Sequence, residues 1–245
     1  DKSKGAFRAG VVTSTEWNDA NRGDQSVAFG LNTTASGDQS TVCGGQNNIS
    51  GTDSSFVGCG LGNEILSGLR GAIVAGNGNS TSANDAFVGA GTNHTVSDVR
   101  GGIVAGNNNS ITSGNDCFIG AGTQNSITSS ANRSGICCGN DNETTANETF
   151  IGGGVSNVAS GTQSAICGGQ GNTASGNDSF VGGGLNNTAS NPQATVCGGE
   201  ENTASADQSV VCAGNNNTAE SNNSFVGGGT NNTSSAQECG IVCGT

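Results

Sequence analysis

Methionine and tyrosine are absent from this 245-residue chain, and proline, tryptophan and histidine occur once each. Basic residues are scarce as well: seven Lys and Arg stand against nineteen Asp and Glu, for a net charge of −12. That imbalance repels polyanions and excludes nucleic acid and anionic membrane surfaces as partners. No apolar run approaches the ~20 residues that span a bilayer, so no membrane insertion is expected. No signal peptide is visible and the chain starts at Asp1 rather than Met. A processed secreted protein, or a fragment of a longer one, has this form.

The same scarcity argues against catalysis. The one histidine, His94, has no partner constellation for general-base work. The acids are scattered over turns, whereas polysaccharide cleavage needs them clustered. Calcium-binding repeats need GGxGxD, which does not occur, and the hexapeptide spacing of β-helix acyltransferases is missing. No catalytic residue, cofactor or metal site is expected, and the chain reads as a non-enzyme.

What the chain has is glycine, 44 of them, and asparagine, with 31% hydrophobic residues. Such a composition alone suggests disorder, but a fixed register overrides it. From Gly37 one unit recurs thirteen times, almost always at fifteen residues, and a fourteenth begins before Thr245. Residues 176–190 read GNDSFVGGGLNNTAS and residues 191–205 read NPQATVCGGEENTAS. Periods this short mean a solenoid in which each coil buries its apolar residues against its neighbours. The predicted fold is an all-β parallel β-solenoid of about fourteen coils over residues 23–245. Residues 1–22, with Phe7, Val11, Val12 and Trp17, are expected to cap the first coil, since a bare end recruits other strands.

With each coil numbered from its first residue, position 9 is Gly in all fourteen coils, from Gly45 to Gly244. A fixed Gly at a strand end marks a turn with positive φ or close backbone approach. Position 6 is always Val or Ile, the β-branched core residue of a short strand. Position 12 is Asn in twelve of thirteen complete coils and His94 in the other, a ladder that satisfies the backbone of successive tight turns.

Positions 5 and 7 vary together. Phe56, Phe87, Phe118, Phe150, Phe180 and Phe225 occupy position 5, each with Gly at position 7. The other eight coils have a non-aromatic residue at 5 and Cys or Val at 7, as in Thr41/Cys43 and Ala165/Cys167. This reads as volume compensation within one packed layer. Positions 4, 6 and 8 face one way and 5 and 7 the other, so both rows look packed although a solenoid has one inside. A rod of roughly 65 Å with an apolar stripe along it is expected to assemble with copies of itself.

Ten cysteines follow the repeat, five at position 7, three at 8 and two at 4. They are expected to be buried small apolar residues, with Cys197 and Cys212 a possible bridge between successive coils, whose ~4.8 Å separation is within disulfide range. Of fourteen Asn-X-Ser/Thr sequons, Asn93, Asn108, Asn186, Asn216 and Asn231 lie at turn position 11. Asn132, Asn147, Asn177 and Asn222 lie at turn position 2, and these nine are the candidate glycan sites. Asn48, Asn79, Asn142 and Asn232 belong to the inward ladder.

Residues 24–37 read DQSVAFGLNTTASG. This resembles the fourteen-residue repeat in the heads of trimeric autotransporter adhesins and in related fibre proteins of phages and large viruses. The resemblance covers one coil, and residues 37–245 are a fifteen-residue variant. It implies a left-handed parallel β-roll and a trimeric or filamentous homo-oligomer. The membrane anchor and stalk heptads of that family do not occur here. The expected role is a structural or adhesive subunit of an extracellular fibre, appendage or virion surface, with glycans on its turns. The alternative is an ice-binding solenoid, through the position-13 row of Thr95, Thr173, Thr188, Thr203, Thr218 and Thr233 with Ser80, Ser110 and Ser126. Ile49, Glu64, Glu143 and Val158 interrupt that row, and it is single.

Overall fold

The computed structural model describes residues 3–129 and 131–244. It is a parallel β-solenoid of about fourteen coils of about fifteen residues, and its one helical element among the described residues is a 3-10 turn at Asp19–Asn21. The first strands are β1 (Phe7–Val11), β2 (Val27–Leu31), β3 (Thr34–Ala35), β4 (Thr41–Val42) and β5 (Ile49–Ser50). From β4 onward every coil gives a two-residue strand at positions 5–6 to one sheet and another at positions 13–14 to a second sheet.

Two compact units divide the chain, Asp1–Thr123 and Gln124–Thr245. In the first, one sheet runs from β1 to Phe118–Ile119 and the other from β3 to Ser110–Ile111. In the second unit they run from Gly135–Ile136 to Gly240–Ile241 and from Ser126–Ile127 to Thr233–Ser234. Pairing is parallel and in repeat register, as with Phe87 between Ala72 and Gly102.

Three bends close each coil, and their chemistry explains the repeat. The position-9 Gly residues from Gly45 to Gly229 have φ between +85° and +117°. A Cβ on Gly184 would lie 2.1 Å from the Gly199 carbonyl oxygen and 2.6 Å from Asn187 Nδ2, so only glycine fits. Positions 3 and 11 are also left-handed, but there Asn, Asp, Gln, Glu, Arg and Ser occur at φ of 53–64°. A single left-handed turn residue costs a non-glycine side chain about 1–2 kcal/mol. The backbone N–H at each such turn recovers a bond to the preceding coil, as Asn186 N does on Gln170 O (2.9 Å).

The core is one side chain deep. Position 6 is fully buried, from Val42 through Ile73, Ile103, Ile136 and Ile166 to Val226. Facing it is position 14, which is Ser50, Ile65, Thr81, Val96 and Ile111 in the first unit and mostly Ala in the second, from Ala159 to Ala219. Position 4 of the next coil adjusts to it. Ile65 and Val96 are followed by Gly71 and Gly101, whose added Cβ atoms would meet Ile65 Cγ2 at 3.1 Å and Val96 Cγ1 at 2.9 Å. Ala159, Ala174 and Ala204 are followed by the buried Ser164, Ser179 and Ser209. Position 4 thus shrinks to glycine beside Ile65 and Val96, whereas Ile111 and Ile127 are followed by the buried Cys117 and Ser134 in coils lengthened by one or two residues.

The lead segment adds a rung. β1 pairs with β2 over five residues, Phe7 to Val11 against Val27 to Leu31. Trp17 Nε1 donates to Thr33 O (3.0 Å), and the Phe7 and Phe29 rings lie 5.5 Å apart.

Candidate functional site

Strand alternation sends position 6 inward, so positions 5 and 7 point out. In the first unit this leaves Phe56, Val74, Phe87, Val104 and Phe118 in sequence on one outer face. In the second unit Phe150 and Phe225 are exposed and Phe180 is half-buried, with Cys137, Cys167, Cys197 and Cys212 in the coils between. The five exposed rings at position 5 are 37–48% accessible, too open for a core and too regular for chance. They recur every second coil where the two coil types alternate, so the face is corrugated: ring, gap, ring.

The pairing of Phe with Gly has a different cause from the volume match expected on sequence. A Cβ on Gly58, Gly89, Gly152, Gly182 or Gly227 would come within 2.2–2.5 Å of the carbonyl oxygen of the position-7 residue one coil on. Only for Gly58 and Gly227 is a ring among the nearest atoms, Phe56 Cε1 at 3.4 Å and Phe225 Cε1 at 3.3 Å. Main-chain approach demands the glycine first, and the ring is a lesser neighbour. This layer is also an outer surface and not a packed interior.

The cysteines need the same correction. All ten are free thiols; Cys117 alone is buried, Cys212 is half-buried, and the other eight are exposed. Position 7 lies on the outer face, and position 8 has begun the turn out of the strand, so Cys59, Cys138 and Cys243 are exposed too. Cys197 and Cys212 stand side by side as thiols. Partial burial, with the neighbouring Cys212, pushes the Cys197 thiol pKa up. Among the described residues no three His, Cys, Asp or Glu side chains converge as a metal site.

The ladder at position 12 is in place. Asn172 Nδ2 lies 3.0 Å from each of Asn157 Oδ1, Gly168 O and Gly184 O, and its Oδ1 accepts from Asn187 N at 2.9 Å. His94 substitutes in this ladder: its N–H donates to Asn79 Oδ1 (2.9 Å) and its Nδ1 accepts from Asn109 N (3.1 Å). It is fully buried, and burial pushes its pKa down, which keeps the imidazole neutral. One buried group was not singled out on sequence. Asp98, at a position filled mostly by Gly, Ala, Ser or Asn, has its Oδ2 accepting from Cys117 N (2.9 Å) while Oδ1 has no partner. Burial pushes its pKa up. Its place among small inward residues, with no acidic or basic alternation around it, gave no sequence signal.

The turn sequons fall where their positions imply. Asn93, Asn108, Asn147, Asn177, Asn186, Asn216, Asn222 and Asn231 are exposed and Asn132 is half-buried, its Nδ2 donating to Asn147 Oδ1 (2.8 Å). The ladder residues Asn48, Asn79 and Asn142 are fully buried. On the second sheet the outward row at position 13 is not single. Position 15 adds a parallel row in which Ser97 and Ser175 are exposed and Ser82, Ser190 and Ser205 half-buried, and Ser82 Oγ donates to Ser97 Oγ (2.9 Å). The T-A-S endings of successive coils carried that second row, since residues two apart share a face.

No protein-family model matches this chain, and comparison with curated proteins finds none similar to it.

Proposed function

We propose that this chain is a non-catalytic structural or adhesive subunit of an extracellular fibre or filament, at a cell-surface appendage or virion surface. It assembles with copies of itself through the outer face of positions 5 and 7. The observation that carries this reading is the contiguous exposed row Phe56, Val74, Phe87, Val104 and Phe118, one apolar side chain in each of five successive coils. Soluble monomers rarely leave contiguous apolar surface of this kind uncovered.

A second copy is the occupant because the corrugation complements itself. Rings recur at about 9.6 Å, twice the strand spacing, with smaller side chains between. A copy displaced by one coil, or related by a two-fold axis, sets its rings in those gaps. The resemblance of residues 24–37 to adhesin-head repeats favours a trimer or a filament over a closed dimer. Glycans on the turn asparagines are compatible with this assembly, because positions 2 and 11 lie on turns outside the apolar strand face. Sedimentation velocity on the intact chain tests the reading: an oligomer supports it and a stable monomer rejects it.

The second sheet supports one other reading. In the second unit Thr173/Ser175, Thr188/Ser190 and Thr203/Ser205 form two parallel hydroxyl rows on in-register strands. Such an array is what an ice-binding face requires. Thermal hysteresis that is present in the wild type and lost on Thr188→Tyr would select this reading over the fibre.

A further inference from the structure

The alternation of coil types fails once, in the second unit. Along its sheet of positions 5 and 6, the position-5 residues of seven hydrogen-bonded strands are, in order, Phe150, Ala165, Phe180, Thr195, Val210, Phe225 and Gly240. Phe150 and Phe180 are two coils apart, but three coils separate Phe180 from Phe225, because Thr195 and Val210 both belong to non-aromatic coils. Position 7 follows in step. Gly152, Gly182 and Gly227 accompany the rings, and Cys167, Cys197, Cys212 and Val242 the other coils.

That defect gives the row a centre. Counted from Thr195, the rings stand three coils and one coil before it and two coils after it. A two-fold axis at Thr195, running along the strand direction, lays a second copy antiparallel and keeps position 5 over position 5 and position 7 over position 7. The rings of the second copy then stand three coils and one coil after the centre and two before it. Six rings fill six different levels, and the seventh level is the central one. Phe150 meets Gly240 of the second copy, Phe180 meets Val210 and Phe225 meets Ala165. At position 7 each glycine likewise meets a side chain: Gly152 faces Val242, Gly182 faces Cys212 and Gly227 faces Cys167. Each residue and its opposite number exchange roles between copies, as a two-fold contact requires.

Moving the axis by half a coil destroys this fit. In one direction Phe225 falls on Phe150 of the second copy, and in the other on Phe180. A row that alternated without fault would interlock wherever the axis fell midway between coils, and would have no preferred register. The extra non-aromatic coil breaks that degeneracy.

We propose that the second unit pairs with the second unit of another copy in this antiparallel register, with the exposed Cys197 thiols of the two copies face to face. The pairing rests on self-assembly through the face of positions 5 and 7, and fixes its register and polarity. The row from Phe56 to Phe118 in the first unit takes no part, so it stays open to a further copy and pairs can extend into a filament. Facing sheets pack about 10 Å apart, beyond the Cα separation of about 7 Å at which a disulfide closes. The two thiols therefore stay reduced and lie within reach of a short linker.

Dibromobimane, which alkylates two neighbouring thiols with loss of two bromides and two protons, should join the intact wild-type chains into a covalent dimer on a reducing denaturing gel. Cys197→Ser should abolish that dimer. Cys137→Ser and Cys167→Ser should leave it, and Cys212→Ser should raise its yield, because Cys212 competes for the reagent within one chain. Parallel copies at equal height would instead cross-link through Cys137 and Cys167 as well, and parallel copies displaced by one coil through Cys197 with Cys212. Val210→Phe places a ring on the level that Phe180 of the second copy already holds. With an unchanged melting curve, it should associate at least tenfold more weakly in sedimentation. A covalent dimer that survives Cys197→Ser, one that is lost in Cys212→Ser, oligomers that give no covalent dimer, or undiminished association of Val210→Phe would overturn the register and leave self-assembly standing. A wild-type chain that sediments as a monomer would overturn self-assembly itself, and the register with it.

Discussion

At the scale of single residues the fold depends on two repeated groups, the position-9 glycine and the position-12 amide. Asn172 shows why the amide recurs. Replacing it by Ala leaves the Gly168 carbonyl and the Asn187 N–H without their buried partner, while the Gly184 carbonyl keeps the Gln170 N–H. Each abandoned buried group costs about 1–3 kcal/mol, so Asn172→Ala should destabilise by roughly 2–5 kcal/mol in chemical denaturation. His94 imports a titratable group into the same ladder. Burial lowers its folded pKa below the ordinary 6.5, so its contribution is present above that value and lost as pH falls through the folded pKa. His94→Asn should restore the regular ladder and abolish this acid-side loss, measured as the difference between the two proteins' melting temperatures at pH 7 and pH 5. Equal pH dependence of the two would mean that the imidazole is free to protonate in the folded chain. The same inside–outside assignment sorts the sequons. In a glycosylating host, peptide mass spectrometry should find modification at Asn93, Asn108, Asn186 or Asn216 and none at the buried Asn79 and Asn142.

At the scale of the coil, much was legible from the repeat alone. Period, parallel strands, the position-6 core, the position-9 turn and the amide ladder all follow from residue types that recur at fixed offsets. What did not follow was direction: alternation says that positions 5 and 7 oppose 4 and 6, but not which row is inside. Cysteine misled here, because it is small and apolar enough for either side. The fit of Gly71 to Ile65 and of Gly101 to Val96 spans neighbouring coils and is invisible when each coil is read by itself. The cause of the glycine at position 7 makes a further prediction. Gly182→Val should destabilise by about 1–3 kcal/mol or more, and adding Phe180→Thr should not restore stability, since the obstacle is the Cys197 carbonyl at 2.2 Å. Recovery in the double variant would return the volume explanation. Cys167→Gly, at an exposed site, should cost only about 0.5–1 kcal/mol, the price of glycine in a strand, with no cavity contribution.

At the scale of the whole molecule the central claim is that the corrugated face is covered by another copy. The two hydroxyl rows and the charged turns pair within the chain or face solvent; the phenylalanine row has no such partner. Analytical ultracentrifugation of the wild type beside Phe87→Asp and Phe118→Asp tests this most directly. Both rings project from the surface, so the variants should keep the wild-type strand-rich circular dichroism and melt. The wild type should sediment as an oligomer or filament and both variants as monomers. A wild-type monomer, or variants that remain assembled, would contradict assembly through this face.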